Sequence, residues 1–130
     1  MGSQARKRGT VLLVDDDAAV RQVAAVILGE LGFEVIEAAD AEAAMAVIRG
    51  PAPIALLMTD LAMPGIGGVE LAHLAKRARP NLKVLYTSAY VRAQGGSKAL
   101  AHGPLIEKPW MLEQLETVVE KLVGSAREGG

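Results

Sequence analysis

Four short apolar runs punctuate the chain, and each stops abruptly at polar residues. Val11-Leu12-Leu13-Val14 runs into Asp15-Asp16-Asp17, and Ile54-Ala55-Leu56-Leu57-Met58-Thr59 into Asp60. Val84-Leu85-Tyr86 reaches Thr87-Ser88, and Leu105-Ile106 meets Glu107-Lys108-Pro109. Runs without alternation suit strands buried on both faces of a parallel sheet. Phe33 to Ala38 alternates only weakly and predicts an edge strand.

Between these runs the apolar positions change to helical spacing. Asp17 can cap a helix whose apolar face is Val20, Val23, Ala24, Ile27, Leu28 and Leu31, with Gly32 placed to end it. Asp40 can cap a second, with Ala41, Ala44, Met45 and Ile48 inward and Gly50-Pro51 closing it. A third is predicted from about Val69 to Ala78, before Pro80. The stretch Tyr90 to Ala101 is a poor helix because Gly95-Gly96 interrupts it, so a short or irregular fourth helix is expected. The last, Met111 to Val123, turns Leu112, Leu115, Val118, Val119 and Leu122 to one side. Leu61 to Gly68 reads as a loop, since three glycines and a proline exclude regular structure and permit close backbone approach to a ligand.

Five strands alternating with five helices predict an α/β fold with a doubly wound parallel sheet. Right-handed crossovers leave few topologies, and the flavodoxin-like strand order 2-1-3-4-5 is the expected one. That order sets strands one and three side by side, and open α/β sheets place ligands at their carboxyl edge. The aspartate triplet and Asp60 then become neighbours. One domain is expected over residues 9–123, between a flexible leader (1–8) and a frayed tail (124–130).

Composition narrows the function more than the fold. Half the residues are apolar (51%), which argues against disorder, yet no run approaches membrane-spanning length. The basic Arg6-Lys7-Arg8 is followed by too short an apolar run for a secretory signal. A net charge of −1 excludes a broad basic face for phosphate backbones, so neither membrane nor nucleic acid is an expected direct partner. The absence of cysteine fits a cytoplasmic protein.

Converging carboxylates repel one another and stay ionised only if a cation joins them. Hard oxygens with room for water suit Mg²⁺, which bridges to phosphate. Asp15 and Asp16 are therefore candidate metal ligands and Asp17 the helix cap, the alternative being an acidic capping region throughout. Asp60 is the candidate nucleophile toward phosphorus, and Lys108 can pair with it and then with the transferred group. Ser88, or Thr87 if the register slips, can donate to a phosphoryl oxygen; either could equally be only a turn former. His73 and His102 have no evident partners for metal binding or acid–base work.

Taken in order, Val-Asp15-Asp16-Asp17, Thr-Asp60-Leu-Ala-Met-Pro64, Thr87-Ser88-Ala89 and Glu107-Lys108-Pro109 resemble the receiver domain of two-component response regulators. The resemblance runs from about Gly9 to Val123. It implies that Asp60 is the phosphoacceptor, taking its group from a sensor histidine kinase or histidine phosphotransfer protein. It also implies Mg²⁺ held by Asp15, Asp16, Asp60 and the backbone carbonyl of Ala62. Ser88 becomes the switch hydroxyl, Lys108 the phosphoryl-pairing lysine, and Lys108–Pro109 a cis peptide. Output then passes through binding of a downstream protein target, with no enzyme activity beyond the domain's own phosphorylation and dephosphorylation.

Four departures stand against that likeness. Leu105 occupies the position of an aromatic switch residue, Gly67 that of a polar one, Trp110 replaces phenylalanine, and Gly95-Gly96 shortens the fourth helix. Two other readings fit parts of the pattern. In a haloacid-dehalogenase-like phosphatase, Asp15 would be the nucleophile and Asp17 the acid–base, leaving Asp60 without a role. In a receiver-like binding module, interactions would ignore phosphorylation.

Overall fold

The structure, a computed structural model, describes residues 8–89, 102–108 and 110–124. Its strands are β1 (Thr10–Val14), β2 (Glu34–Ala38), β3 (Leu56–Asp60), β4 (Lys83–Ser88) and β5 (Leu105–Glu107). They form one parallel sheet of order β2-β1-β3-β4-β5, the predicted topology. Four helices are described, α1 (Ala18–Glu30), α2 (Ala41–Arg49), α3 (Gly68–Ala78) and α4 (Leu112–Val123). The irregular helix expected at Tyr90 to Ala101 lies outside the described residues, as do most of the expected leader and tail.

Two cores cover the two faces of the sheet. Because alternate strand residues point to opposite sides, Leu12, Val14, Leu57, Val84 and Tyr86 meet α2 and α3 on one face. Val11, Leu13, Leu56, Met58, Leu85 and Ile106 meet α1 and α4 on the other. Every residue of β3 is buried, the polar Thr59 and Asp60 included, which is why Leu56 to Met58 reads as an unbroken apolar run.

The helix signals act as expected at their starts. The Asp17 carboxylate accepts from the Ala19 and Val20 amides, at 3.0 and 3.2 Å, and that of Asp40 from Ala43 at 2.8 Å. On α2 the inward set Ala41, Ala44, Met45 and Ile48 is buried. Two helix faces need correction. Val23 was expected inward but is 56% exposed, and Leu112 is 44% exposed; Val26 and Met111 are also exposed. The wide apolar stripe of α1 exceeds what the sheet can cover, so its flank faces outward.

Arg8 closes the opposite end of the molecule from the strand tips. Its guanidinium stacks 4.8 Å over the Phe33 ring and donates to the Leu31 carbonyl at 2.9 Å. It also reaches Glu120 at 3.5 Å and the Gly124 carbonyl at 3.3 Å. The last residue of the expected leader is thus fastened to both α1 and α4.

Candidate functional site

Register builds the site. Val14 pairs with Thr59, Asp60 with Thr87 and Ser88 with Glu107, so β1, β3, β4 and β5 end level with one another. Asp15, Asp60, Ser88 and Lys108 emerge along one edge. Two backbone bonds hold the strand exits together: Leu61 donates to the Thr87 carbonyl and Lys108 to the Ser88 carbonyl, both at 2.9 Å.

Asp15 is the most constrained of the acids. One oxygen accepts from the Asp17 amide at 2.9 Å, and the other from Lys108 Nζ at 2.9 Å. Its backbone carbonyl accepts from Arg21 at 2.7 Å. Lys108 Nζ also lies 3.4 Å from an Asp60 oxygen. The lysine expected to pair with Asp60 therefore bridges two carboxylates and sits nearer Asp15. Asp15 and Asp60 are buried, Asp16 is exposed, and ligand atoms of the three lie within 4.8 Å of one another.

The charges do not balance. Burial raises the Asp60 pKa above the ordinary carboxylate value; the Lys108 charge opposes this, while Asp15 and Asp16 add to it. Burial disfavours the Lys108 ammonium, but its hydrogen bond to Asp15 and the charges of both acids outweigh this and hold it protonated above the ordinary lysine range. Three carboxylates against one ammonium leave about two negative charges, the complement of a divalent cation. Hard carboxylate oxygens gathered within 4.8 Å of one another, with Asp16 open to solvent, suit Mg²⁺, which keeps part of its hydration shell, so the donor set fits that ion.

The β3–α3 turn is shaped for the site by Gly68. A Cβ there would collide with the Asp60 carbonyl, so a side chain would push α3 away from the strand end. The Gly68 amide donates to the Leu61 carbonyl at 2.9 Å, closing the turn that contains Ala62. Ser88 is buried at the edge. Pro109, and with it the implied cis peptide, lies outside the described residues.

Two features were not legible in the sequence. The outward apolar side of α1 borders a groove of about 270 Å³ lined by Ala19, Val20, Val23, Lys108 and Trp110, where the Trp110 indole nitrogen is buried without a partner. His73 and His102 do meet, with ring centroids 6.0 Å apart. The acidic cluster is nevertheless the one group of three or more metal-ligating side chains found among the described residues.

Comparison with known proteins agrees with this geometry. A family profile for the response regulator receiver domain matches residues 11–120. The receiver protein CpdR of Brucella abortus is 29% identical over 89% of this chain and 98% of its own length. The DNA-binding transcriptional regulator NtrC of Azospirillum brasilense is 34% identical over 89% of this chain, which spans only 24% of that protein. The crystal structure of response regulator TrrA from Thermotoga maritima, in complex with Mg(2+)-BeF, superposes with a TM-score of 0.78 at 27% identity. That match covers 88% of this chain and 98% of the other.

Proposed function

This chain belongs to the response regulator receiver domain family, the phosphoacceptor signalling module of two-component systems, and we propose that Asp60 is the residue that accepts the phosphoryl group. Asp15, Asp16, Asp60 and the Ala62 carbonyl would hold Mg²⁺, which when bound draws charge from the phosphoryl oxygens. The carrying observation is the convergence of Asp60 with Asp15 and Lys108 at one sheet edge.

An ionised Asp60 oxygen attacks phosphorus in line with a donor imidazole. The O–P bond forms, the P–N bond breaks, and its electron pair returns to the ring nitrogen, leaving an acyl phosphate. Lys108 already bridges Asp15 and Asp60 and moves to pair with the new oxygens. Ser88 donates to one of them. The added charge shifts an existing equilibrium at the β4 exit and changes binding of a downstream protein. The donor is a sensor histidine kinase or histidine phosphotransfer protein in the cytoplasm. The donor docks on the groove between α1 and Trp110, because Lys108, which lines that groove, lies 3.4 Å from an Asp60 oxygen.

The phosphatase reading loses ground on two observations: the Asp17 side chain is engaged as a helix cap, and Asp60 stands inside the cluster. Incubation with acetyl phosphate and Mg²⁺ followed by intact-protein mass spectrometry tests the choice. One phosphoryl group is expected on the native chain and none on Asp60→Ala. Labelling that survives in Asp60→Ala and disappears in Asp15→Ala would reverse the assignment. For the groove, Val23→Glu should lower the ratio of protein-donor to acetyl-phosphate labelling rates at least tenfold; an unchanged ratio would remove the donor from that face.

A further inference from the structure

Leu105 has no polar tip, so it cannot exchange hydrogen bonds at the switch, and another residue on the same face must do so if occupancy of Asp60 is to be felt there. Tyr86 meets the requirements. It pairs with Leu105 across β4 and β5 and with Thr59 across β3 and β4, and it lies two residues before Ser88, on the same side of the sheet. Its side chain is fully buried, yet its hydroxyl has no hydrogen bond. A buried hydroxyl left in that condition disfavours the state that contains it.

The turn leading into β5 packs directly against the β4 backbone beside Tyr86. The Tyr86 amide donates to the Pro104 carbonyl at 2.9 Å. Gly103 is pressed so closely on the Val84 carbonyl that a Cβ would collide with it. The backbone amide of His102 acts on the phenolic oxygen without completing a hydrogen bond to it. A movement of this turn that brings the amide into line with the hydroxyl would complete one. Lys108 follows the same short strand and is tied by its amide to the Ser88 carbonyl, so movement at the phosphoryl site is passed directly to β5 and its turn.

We propose that Tyr86, in place of Leu105, is the positioning residue that couples Asp60 to the turn before β5: in the phosphorylated state the His102 amide donates to its hydroxyl. This rests on the reading of Asp60 as phosphoacceptor. The coupling is reciprocal, so a hydrogen bond formed only in that state strengthens binding of the group that produces it.

The test compares the native chain with Tyr86→Phe, which keeps the ring and deletes only the hydroxyl. Each is titrated with beryllium fluoride in the presence of Mg²⁺ and followed by thermal midpoint and by the NMR signal of the His102 amide. Tyr86→Phe should bind beryllium fluoride about 5- to 10-fold more weakly, the worth of one buried hydrogen bond. The His102 amide proton should shift downfield and exchange more slowly in the native complex only. Affinities equal within twofold, or the same amide response in both chains, would overturn the proposal. So would a lowered midpoint in Tyr86→Phe at unchanged affinity, since that marks a purely structural side chain. A native chain that fails to respond at all would instead remove the Asp60 reading, and this inference with it.

Discussion

Replacing Asp60 by asparagine should make the protein more stable in metal-free buffer. At an effective dielectric constant near 20, unit charges interact by about 332/(20r) kcal/mol with r in Å. Lys108, 3.4 Å away, then contributes about 5 kcal/mol of attraction to Asp60. Asp15, within 4.8 Å, returns at least about 3.5 kcal/mol of repulsion. Exposed Asp16, at a similar limit, adds roughly 1–3 kcal/mol after solvent screening. Attraction and repulsion nearly cancel, which leaves the desolvation of a carboxylate with only 10% of its side chain exposed uncompensated. Asp60→Asn removes that burden while Lys108 keeps its shorter bond to Asp15. A gain of about 1–2 kcal/mol raises the midpoint of a chain this long by roughly 4–7 °C. The pH dependence follows from the sign of the shift. A carboxylate whose pKa is raised by folding destabilises the fold once ionised, so the native chain recovers stability as pH falls through the folded value. Thermal unfolding by circular dichroism, with EDTA, should show the gap widest at neutral pH and closing in acid. Added Mg²⁺ should also narrow it by stabilising the native chain more. A variant no more stable than the native chain at pH 7, or a gap that grows on acidification, would refute this account of the cluster.

Other changes probe the neighbours of that carboxylate. Lys108→Ala strands Asp15 and Asp60 together and should cost about 3–5 kcal/mol in metal-free buffer, with Mg²⁺ restoring much of it; denaturant titration with and without the ion measures both. Asp17→Ala deletes the α1 cap and should cost about 1 kcal/mol, yet acetyl-phosphate labelling should continue; its loss would bring Asp17 into the chemistry. Gly68→Ala forces a methyl group against the Asp60 carbonyl, and overpacking of about 1–3 kcal/mol should accompany slower labelling, read from unfolding curves and labelling rates.

The sheet was legible because a parallel strand needs apolar residues on both faces, and Leu56 to Met58 or Val11 to Val14 have few other uses. Strand order then followed from handedness, and convergence of Asp15, Asp60 and Lys108 followed from strand order. Pattern failed where side chains choose between partners. No spacing rule says that Lys108 sits nearer Asp15 than Asp60, because both acids are in reach of one flexible stem. Nor does helical periodicity distinguish buried Ala24 from exposed Val23, since it records which residues can be buried and not how much sheet exists to bury them. Tyr86 read as an ordinary strand residue, and only the surroundings of its hydroxyl set it apart.

The grip of Arg8 on Leu31, Glu120 and Gly124 also ties residue 8 to residue 124. Both residues sit at the end of the sheet opposite the acidic cluster. A short peptide joining residue 8 to residue 124 would give a circular permutant whose new termini could be opened in any exposed turn away from the strand tips.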